Sequence, residues 1–269
     1  MSSKSLLQTI ENLIPAPQIL NTVYFQATNI GITDIDVASA YRGFSDISTF
    51  EASYDLKILT REQVYAFDLP KGCIFMGGVR ETLNIMHRAN IKPDILDYPE
   101  ELKQYLGREV YKKTIADTYT HKGLWFVKPY HTKQFPATLI KNGMATPDAL
   151  TFESHNLETP IWMSSYIPEN KRQAEYRCYV LNNKILDVRR YLGSYLIESE
   201  MFKTPHIKVL KDIVKNYKSA PVAYAFDVTE HGQLIEVNDA WSLGNYGMDD
   251  VLYAEMIEAR WKQLWANGK

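Results

Sequence analysis

Apolar residues in the first hundred positions alternate between short strand-like runs and helical stripes. The strand candidates are residues 22–25, 54–58 and 73–76. Gly77-Gly78 follows the third run, and the next apolar residues have helical spacing: Val79, Leu83 and Met86. A glycine turn between strand and helix can bind phosphate, but the pattern favours a tight turn. The sequence therefore predicts a small Rossmann-like N-terminal lobe over residues 1–95.

The pattern changes from position 96, where a short helix over 98–106 precedes a series of strands. The predicted strands are 124–129, 137–141, 161–167, 176–181, 184–190, 223–228 and 233–239. Two helices are also predicted in this part of the chain. One begins after Thr204-Pro205 and has a buried apolar stripe, and the last one is capped by Asp249-Asp250. The expected inward residues of the two helices are Ile207, Leu210, Ile213, Val214 and Tyr217, then Tyr253, Met256, Ile257, Trp261 and Leu264. We place two further lobes at 96–160 and 161–269, giving a mixed α/β (α+β) protein.

The composition mainly excludes several classes of protein. The 269 residues are 45% hydrophobic with a formal charge of −2, so a substantial core is expected and no strong nucleic-acid signal is present. Cys73 and Cys178 both lie in apolar runs, which argues against a disulfide framework and for a reducing compartment. No stretch approaches membrane-spanning length, so we expect a cytoplasmic protein without a membrane partner.

Three oxygen ligands are expected on one face of the last hairpin. Because side chains alternate along a strand, Glu236 and Asn238 point the same way, and Asp227 pairs with Leu234 or Glu236 on that face whether the loop has four residues or two. Two carboxylates and an amide oxygen suit Mg²⁺ that keeps some water and binds substrate phosphates. A solvated face of an ordinary antiparallel hairpin is the alternative.

Lys128 ends an apolar strand and is followed by Pro129, which cannot continue ordinary strand pairing. A lysine at the end of a buried strand is costly unless an anion meets it. Nucleotide phosphate is the anion that this pattern indicates.

Two consecutive arginines lie on the hairpin that turns at Asn182-Asn183. A regular two-residue turn pairs Leu181 with Lys184, which places Arg177 opposite Val188 and Glu175 opposite Arg190. Glu175, Arg177 and Arg190 then share a face, and Arg189 lies on the other, although a bulge would exchange the two arginines. A cross-strand salt bridge between Glu175 and Arg190 is the alternative to a phosphate contact.

Taken together, four segments resemble the ATP-grasp fold, in which nucleotide lies between two α+β lobes. They are 126–129, 175–180, 187–190 and Asp227 with 236–239. The match is to a divergent clade marked by two arginines and a lysine, which includes a eukaryotic cell-division-cycle protein that assists assembly of a translation initiation factor. The resemblance spans residues 70–247.

The resemblance implies ATP and Mg²⁺ as cofactors and assigns a role to each site residue. Lys128 would contact phosphate, Asp227, Glu236 and Asn238 would hold Mg²⁺, and Arg177 with Arg190 or Arg189 would face the phosphates or an acyl group. The strand 162–166, with Ser164, Ser165 and Tyr166, would meet adenine. Lys133 lies where related enzymes have a glycine-rich loop, which is absent here, and Glu175 would replace a ribose-binding acid.

The chemistry that the resemblance implies is ATP-dependent carboxylate–amine ligation through an acyl phosphate, with a peptide, protein or metabolite as substrate. No protein nucleophile is needed, in keeping with the lack of a Ser/His/Asp or Cys/His arrangement. The alternative is an ATP-binding assembly factor that grips a protein partner without ligation. The sequence does not identify the acceptor or the donor.

Overall fold

The computed structural model describes residues 19–50, 53–131, 134–145, 155–172, 174–192 and 205–268. Within these residues the strands form three separate sheets of three, five and four strands. Both cysteines are free, as expected. None of the described helices is long and apolar enough to cross a membrane.

The first sheet is parallel, with its first strand in the centre. Its strands are β1 (Ile19–Ala27), β2 (Ser53–Thr60) and β3 (Ile74–Met76), in the order β2-β1-β3. Parallel neighbours need crossover connections, which here contain α1 (Ile35–Phe50) and α2 (Arg61–Ala66), while α3 (Val79–Arg88) follows the last strand of the sheet. Phe25 and Phe75 are completely buried between these layers. The predicted alternation of strands and helices is therefore present, while the lobe boundary at residue 95 stays a prediction.

The second sheet is antiparallel, and Lys128 lies on one of its strands. Its strands are β4 (Val110–Thr114), β5 (Leu124–Pro129), β6 (Thr138–Lys141), β7 (Met144–Ala145) and β8 (Pro160–Ser165), in the order β4-β8-β5-β6-β7. The short helix α4 (Ile115–Thr118) lies between β4 and β5. A 3₁₀ helix, Glu100–Tyr105, precedes the sheet where the sequence predicted a short helix.

The third sheet carries most of the candidate residues. Its strands are β9 (Glu175–Leu181), β10 (Lys184–Leu192), β11 (Ala223–Thr229) and β12 (Leu234–Asp239), in the order β10-β9-β11-β12. A second 3₁₀ helix, Glu169–Lys171, precedes it, and α5 (Ile207–Asn216) packs on one face through Leu210 and Ile213. Ile207, expected in that buried stripe, is instead 49% exposed.

The hairpin of β9 and β10 corrects the predicted arginine register. Asn182 and Asn183 both have positive φ, 50° and 59°, as a two-residue turn requires, and Leu181 pairs with Lys184 as expected. A bulge between Ile185 and Asp187 then shifts the register by one residue. Strand parity alone could not show an extra residue.

The bulge exchanges the two arginines. Arg177 is opposite Arg189, rather than Val188, and Glu175 is opposite Leu192, rather than Arg190. The prediction that Arg190 shares the face of Arg177 is therefore wrong, and Arg189 takes that place. Arg190 is instead opposite Tyr176.

The last helix, α6 (Asp250–Asn267), joins the N-terminal lobe to the third sheet. Asp249 Oδ1 accepts hydrogen bonds from the backbone of Val251 and Leu252, which confirms the predicted cap. Gly43 of α1 lies so close that a Cβ there would be 1.9 Å from the carbonyl oxygen of Asp250, so only glycine allows this approach. The five residues predicted to face inward are all buried.

Candidate functional site

A cleft of 530 Å³ lies where the second and third sheets meet the loop after β12. Phe126 and Lys128 line it from β5, and Arg177, Asp227 and Glu236 line it from the third sheet. The N-terminal lobe contributes Val79, the first residue of α3. The volume is within the range of about 300–1,000 Å³ typical of small-molecule sites.

The oxygen-bearing residues of the last hairpin meet as parity predicted. The turn spans residues 230–233 rather than either predicted loop, and Asp227 is directly opposite Glu236, while Asn238 is opposite Ala225. A bulge next to Asp227 absorbs the extra residue. Asn238 Nδ2 donates to Asp227 Oδ2 at 3.1 Å. The pairing of Asp227 with Glu236 on one face is therefore confirmed, while a role in metal binding stays a prediction.

Asp227 is held by Arg177 from the neighbouring strand β9. The guanidinium donates from Nε and Nη2 to the two carboxylate oxygens, each at 2.8 Å. Both side chains are buried, Asp227 almost completely. Burial raises the pKa of Asp227, and the contact with Arg177 opposes that shift. A buried bidentate pair of this kind fixes both side chains in orientation.

Lys128 is shared between two carboxylates of the cleft. Its Nζ is 2.6 Å from Glu236 Oε2 and also contacts Asp97 Oδ1. The ammonium group lies 4.6 Å from the centre of the Tyr98 ring. Burial would lower the pKa of Lys128, but Glu236, Tyr98 and Asp97 together raise it well above its ordinary value. Burial raises and Lys128 lowers the pKa of Glu236, and the net shift is downward.

The cleft thus contains carboxylates already neutralised by cations of the same chain. Among the residues that the structure describes, no group of three or more His, Cys, Asp or Glu side chains is arranged to hold a metal ion. Asp227, Glu236 and Asn238 nevertheless supply the hard oxygen donors that Mg²⁺ prefers, with space in the cleft for water and a polyphosphate. The donor chemistry fits Mg²⁺ provided that Lys128 and Arg177 can turn toward the anion.

Two tyrosines cover Arg177. Tyr191 and Tyr246 stack with ring centres 4.9 Å apart, and the guanidinium lies 5.5 Å and 5.0 Å from the two ring centres. The Tyr191 hydroxyl donates to Glu175 and to Asp227 Oδ2, the latter at 3.2 Å. Burial and these carboxylates raise the pKa of Tyr191, so its hydroxyl stays a donor. Cation–π contact adds to the orientation of Arg177.

The other predicted nucleotide residues are not among those that line the cleft, or fall outside the described part of the chain. Ser164 pairs on both sides, with Val110 and with Phe126, and Ser165 donates its backbone N–H to Glu109. Tyr166 follows the end of β8. Lys133 falls outside the described residues. The adenine role of 162–166 stays a prediction, with Tyr166 the residue whose backbone lies beyond the strand.

Glu175 and the two arginines have local partners. Glu175 is buried and pairs with Arg172 at 3.0 Å, besides accepting from Tyr191. Arg189 is 42% exposed and bonds to Asp187 at 2.6 Å. A ribose role for Glu175 and an acyl or phosphate role for Arg189 stay predictions.

Sequence reasoning missed Asp97 and the two tyrosines. Asp97 lies in the connection between α3 and the first 3₁₀ helix, and its backbone carbonyl accepts a hydrogen bond from the N–H of Val237 in β12, a contact between distant positions that no local pattern reveals. Tyr191 is the residue after the predicted strand and became part of the site through a second register shift between Arg190 and Leu192. The aromatic residue next to the two arginines was the available signal.

Comparison with known proteins gives one family match. A model described as an ATP-grasp domain, family 2 of the clade with two arginines and a lysine, matches residues 105–256. No curated protein matches the chain.

Three solved structures are similar over most of this chain, at low sequence identity. D-cycloserine synthetase has a TM-score of 0.51 at 10% identity, covering 91% of this chain and 100% of that chain. An ATP-grasp protein with a RimK domain from Sphaerobacter thermophilus has a TM-score of 0.47 at 11% identity, covering 89% and 97%. D-alanine–D-alanine ligase from Bacillus anthracis, complexed with ATP, has 0.44 at 12%, covering 92% and 99%. The similarity to D-cycloserine synthetase shows the fold alone, and none of the three similarities identifies a substrate of this chain.

Proposed function

This chain belongs to the ATP-grasp domains, in family 2 of the clade with two arginines and a lysine, and on that premise we propose that its cleft binds Mg²⁺ and ATP and joins a carboxylate to an amine. The observation that carries the proposal is the meeting of Lys128, Arg177, Asp227 and Glu236 in one cleft. These four residues come from four strands of two sheets. Lys128 neutralises Glu236, and Arg177 neutralises Asp227. When a phosphate and a divalent cation enter together, the two basic side chains can pair with the phosphate and the two carboxylates with the cation.

The reaction requires positioning rather than a protein nucleophile. A substrate carboxylate oxygen attacks the γ-phosphorus and ADP leaves. An amine nitrogen then attacks the carbonyl carbon of the acyl phosphate, inorganic phosphate leaves and the nitrogen loses a proton. Bound Mg²⁺ would neutralise phosphate charge. Lys128 and Arg177 donate to phosphoryl oxygens, while Asp227, Glu236 and Asn238 would hold the metal ion.

The remaining site residues complete the proposed nucleotide site. Ser164, Ser165 and Tyr166 lie at the end of β8, in the part of the chain that would meet adenine, and Glu175 is the candidate for the ribose. Lys133 would add positive charge over the phosphates. The cytoplasmic location stays a prediction, as does kinship with the translation-factor assembly protein.

The proposal is tested by coupled product assays. Purified protein is incubated with Mg²⁺-ATP and pairs drawn from a set of amino acids and short peptides, while ADP and phosphate are measured separately. Stoichiometric ADP and phosphate that appear when both a carboxylate and an amine are present support ligation. Nucleotide-dependent binding of a protein partner with no ADP formed would support the assembly-factor alternative instead.

Replacement of Lys128 by alanine should weaken ATP binding about 10- to 100-fold. A charge-assisted contact to phosphate is worth roughly 1.5–3 kcal/mol, and the freed Asp97 and Glu236 would also repel the nucleotide. Calorimetric titration with a non-hydrolysable ATP analogue and Mg²⁺ measures the change. The matched control is Lys122→Ala, an exposed lysine just before the same strand. An unchanged dissociation constant would make Lys128 a structural residue.

Asp97→Asn should have the opposite effect on ATP affinity. Removal of one negative charge beside Lys128 should tighten ATP binding about fivefold, equivalent to roughly 1 kcal/mol. Because Lys128 then has one partner fewer to orient it, turnover should fall. The ATP dissociation constant and kcat are measured separately, and both should fall in Asp97→Asn. Asp97→Glu should restore kcat. Weaker ATP binding in Asp97→Asn would contradict this role.

The two arginines of β10 provide a matched pair. Arg189→Ala should lower turnover at least about tenfold, because Arg189 lies on the face of Arg177, and Arg190→Ala should stay within about twofold of the wild type. Steady-state kinetics on both variants checks the ranking. A larger loss in Arg190→Ala would mean that the bulge between Ile185 and Asp187 is absent during catalysis.

A further inference from the structure

A second groove lies outside the cleft, between helix α5 and the edge strand β10. Its volume is 740 Å³. The lining residues are Asn183, Lys184, Ile185, Ile207, Lys211, Val214, Lys215, Tyr217 and Lys218. None of them belongs to the proposed nucleotide site, so the groove calls for a separate explanation.

The rim of this groove carries one sign of charge. Lys184 lies on the strand side, and Lys211, Lys215 and Lys218 follow one another at helical spacing along α5 and just beyond its end. All four are exposed, and among the described residues none of them takes part in an ion pair. None of the described residues that line the groove has a carboxylate side chain. The protein as a whole has a charge of −2, so this concentration of positive charge is local.

The nearby carboxylates are engaged elsewhere. Asp212 of α5 accepts from Tyr105, and Asp187 of β10 bonds to Arg189. Glu101 accepts the backbone N–H groups of Lys218 and Ser219. The ammonium groups on the rim therefore lack an acidic partner within the part of the chain that the structure describes.

The floor of the groove is apolar, and the beginning of strand β10 lines one side. Val214 and Tyr217 are buried at the bottom, and Ile207 stands half exposed at one end. β10 is the outermost strand of its sheet and pairs with β9 on its inner side. An edge strand offers backbone N–H and C=O groups to an additional extended segment.

We propose that this groove binds an extended acidic segment of a partner protein, laid along β10 with its carboxylates against the four lysines and an apolar side chain on the floor. Backbone pairing would supply affinity, and the alternation of acidic and apolar side chains would supply specificity. The charge complementarity requires acidic residues, and the apolar floor beside Ile207 requires an apolar one.

The same features disfavour a nucleic acid as the occupant. Bases that bind protein grooves stack on exposed aromatic rings, whereas Tyr217 is 4% exposed. Arginine, whose planar fork suits phosphate, is absent from the lining that the described residues form. Lysines around an apolar floor match a peptide better than a phosphate backbone.

The test uses a fluorescein-labelled peptide, two repeats of the sequence Glu-Val-Asp-Ile, and the full chain. Fluorescence anisotropy should show saturable binding that weakens with salt. The variant Lys211→Glu with Lys215→Glu should weaken it at least about tenfold, equivalent to roughly 1.4 kcal/mol. The control Lys92→Glu with Lys122→Glu, at two exposed lysines elsewhere, should not. Each variant is first shown to keep the melting temperature and ATP affinity of the wild type.

Equal affinity for the wild type and the Lys211/Lys215 variant would overturn the proposal. So would inorganic polyphosphate or an oligonucleotide binding at these lysines while the peptide does not, since the site would then take phosphate anions. The chain's own Glu198 and Glu200 provide a further check. If the peptide binds only after Glu198→Gln and Glu200→Gln, the groove serves this chain rather than a partner, which also overturns the proposal.

Discussion

Glu236→Gln should abolish most Mg²⁺-ATP turnover while leaving the fold intact. The side chain keeps its shape, and its remaining oxygen can still accept from Lys128, now 2.6 Å away, so the cleft should stay assembled. What is lost is a negative charge directed at the proposed metal ion, which is expected to contribute several kcal/mol to the transition state. Turnover should fall about 100- to 1,000-fold.

The measurement is steady-state ADP release at increasing Mg²⁺, combined with thermal unfolding. Glu255→Gln, an exposed carboxylate on α6, is the matched control and should behave as the wild type. The affinity for ATP without Mg²⁺ should not fall in Glu236→Gln, because the variant removes a negative charge from the phosphate site. Full activity in this variant would remove Glu236 from the metal site.

Arg177→Met should destabilise the protein and eliminate turnover together. Asp227 would be left as a buried carboxylate without its bidentate partner, which costs about 3–5 kcal/mol. For a chain of this length that corresponds to a melting temperature lower by roughly 10 °C. The two tyrosine rings over the guanidinium would also lose their cation.

A second variant separates stability from chemistry. Arg177→Met combined with Asp227→Asn removes both charges, so most of the lost stability should return while activity does not. Scanning calorimetry and product assays on the single and double variants test this. If the double variant regained turnover, Arg177 and Asp227 would form a purely structural pair.

Much of the fold was accessible from sequence, because it follows from local periodicity. Most strands of the three sheets, the Asn182-Asn183 turn and the Asp249 cap each depend on a few neighbouring residues, whereas β4 and β7 of the second sheet were not predicted. The face shared by Asp227 and Glu236 followed from parity, since either loop length gave the same answer. The assignment to the ATP-grasp fold came from the order of several motifs, and the family match bears it out.

The predictions that were wrong or incomplete concern strand irregularities and contacts between distant parts of the chain. The bulge between Ile185 and Asp187 inverted the arginine faces, because a strand with one extra residue has no distinct sequence signal here. Asp97 reaches Lys128 only because a connecting segment runs beside β12. Ile207 fits the helical stripe but stands at the open end of a groove, where nothing in the described part of the chain covers it.

The proposed mechanism depends on a change of charged partners in the cleft, which we call the partner exchange. Without nucleotide, Lys128 and Arg177 neutralise Glu236 and Asp227, so like charges in the site do not repel one another. Mg²⁺ can then take the place of Lys128 and Arg177 beside the two carboxylates, while phosphate takes the place of the carboxylates beside Lys128 and Arg177. In this mechanism ATP and Mg²⁺ bind with positive coupling, each strengthening the other.

The most direct test of the partner exchange is a crystal structure with a non-hydrolysable ATP analogue and Mn²⁺ in place of Mg²⁺. We expect an anomalous scattering peak within about 2.5 Å of carboxylate oxygens of Asp227 and Glu236, with Lys128 Nζ moved from Glu236 to a phosphate oxygen. A nucleotide bound elsewhere, or Mn²⁺ absent from these carboxylates while Lys128 still pairs with Glu236, would contradict the proposed mechanism.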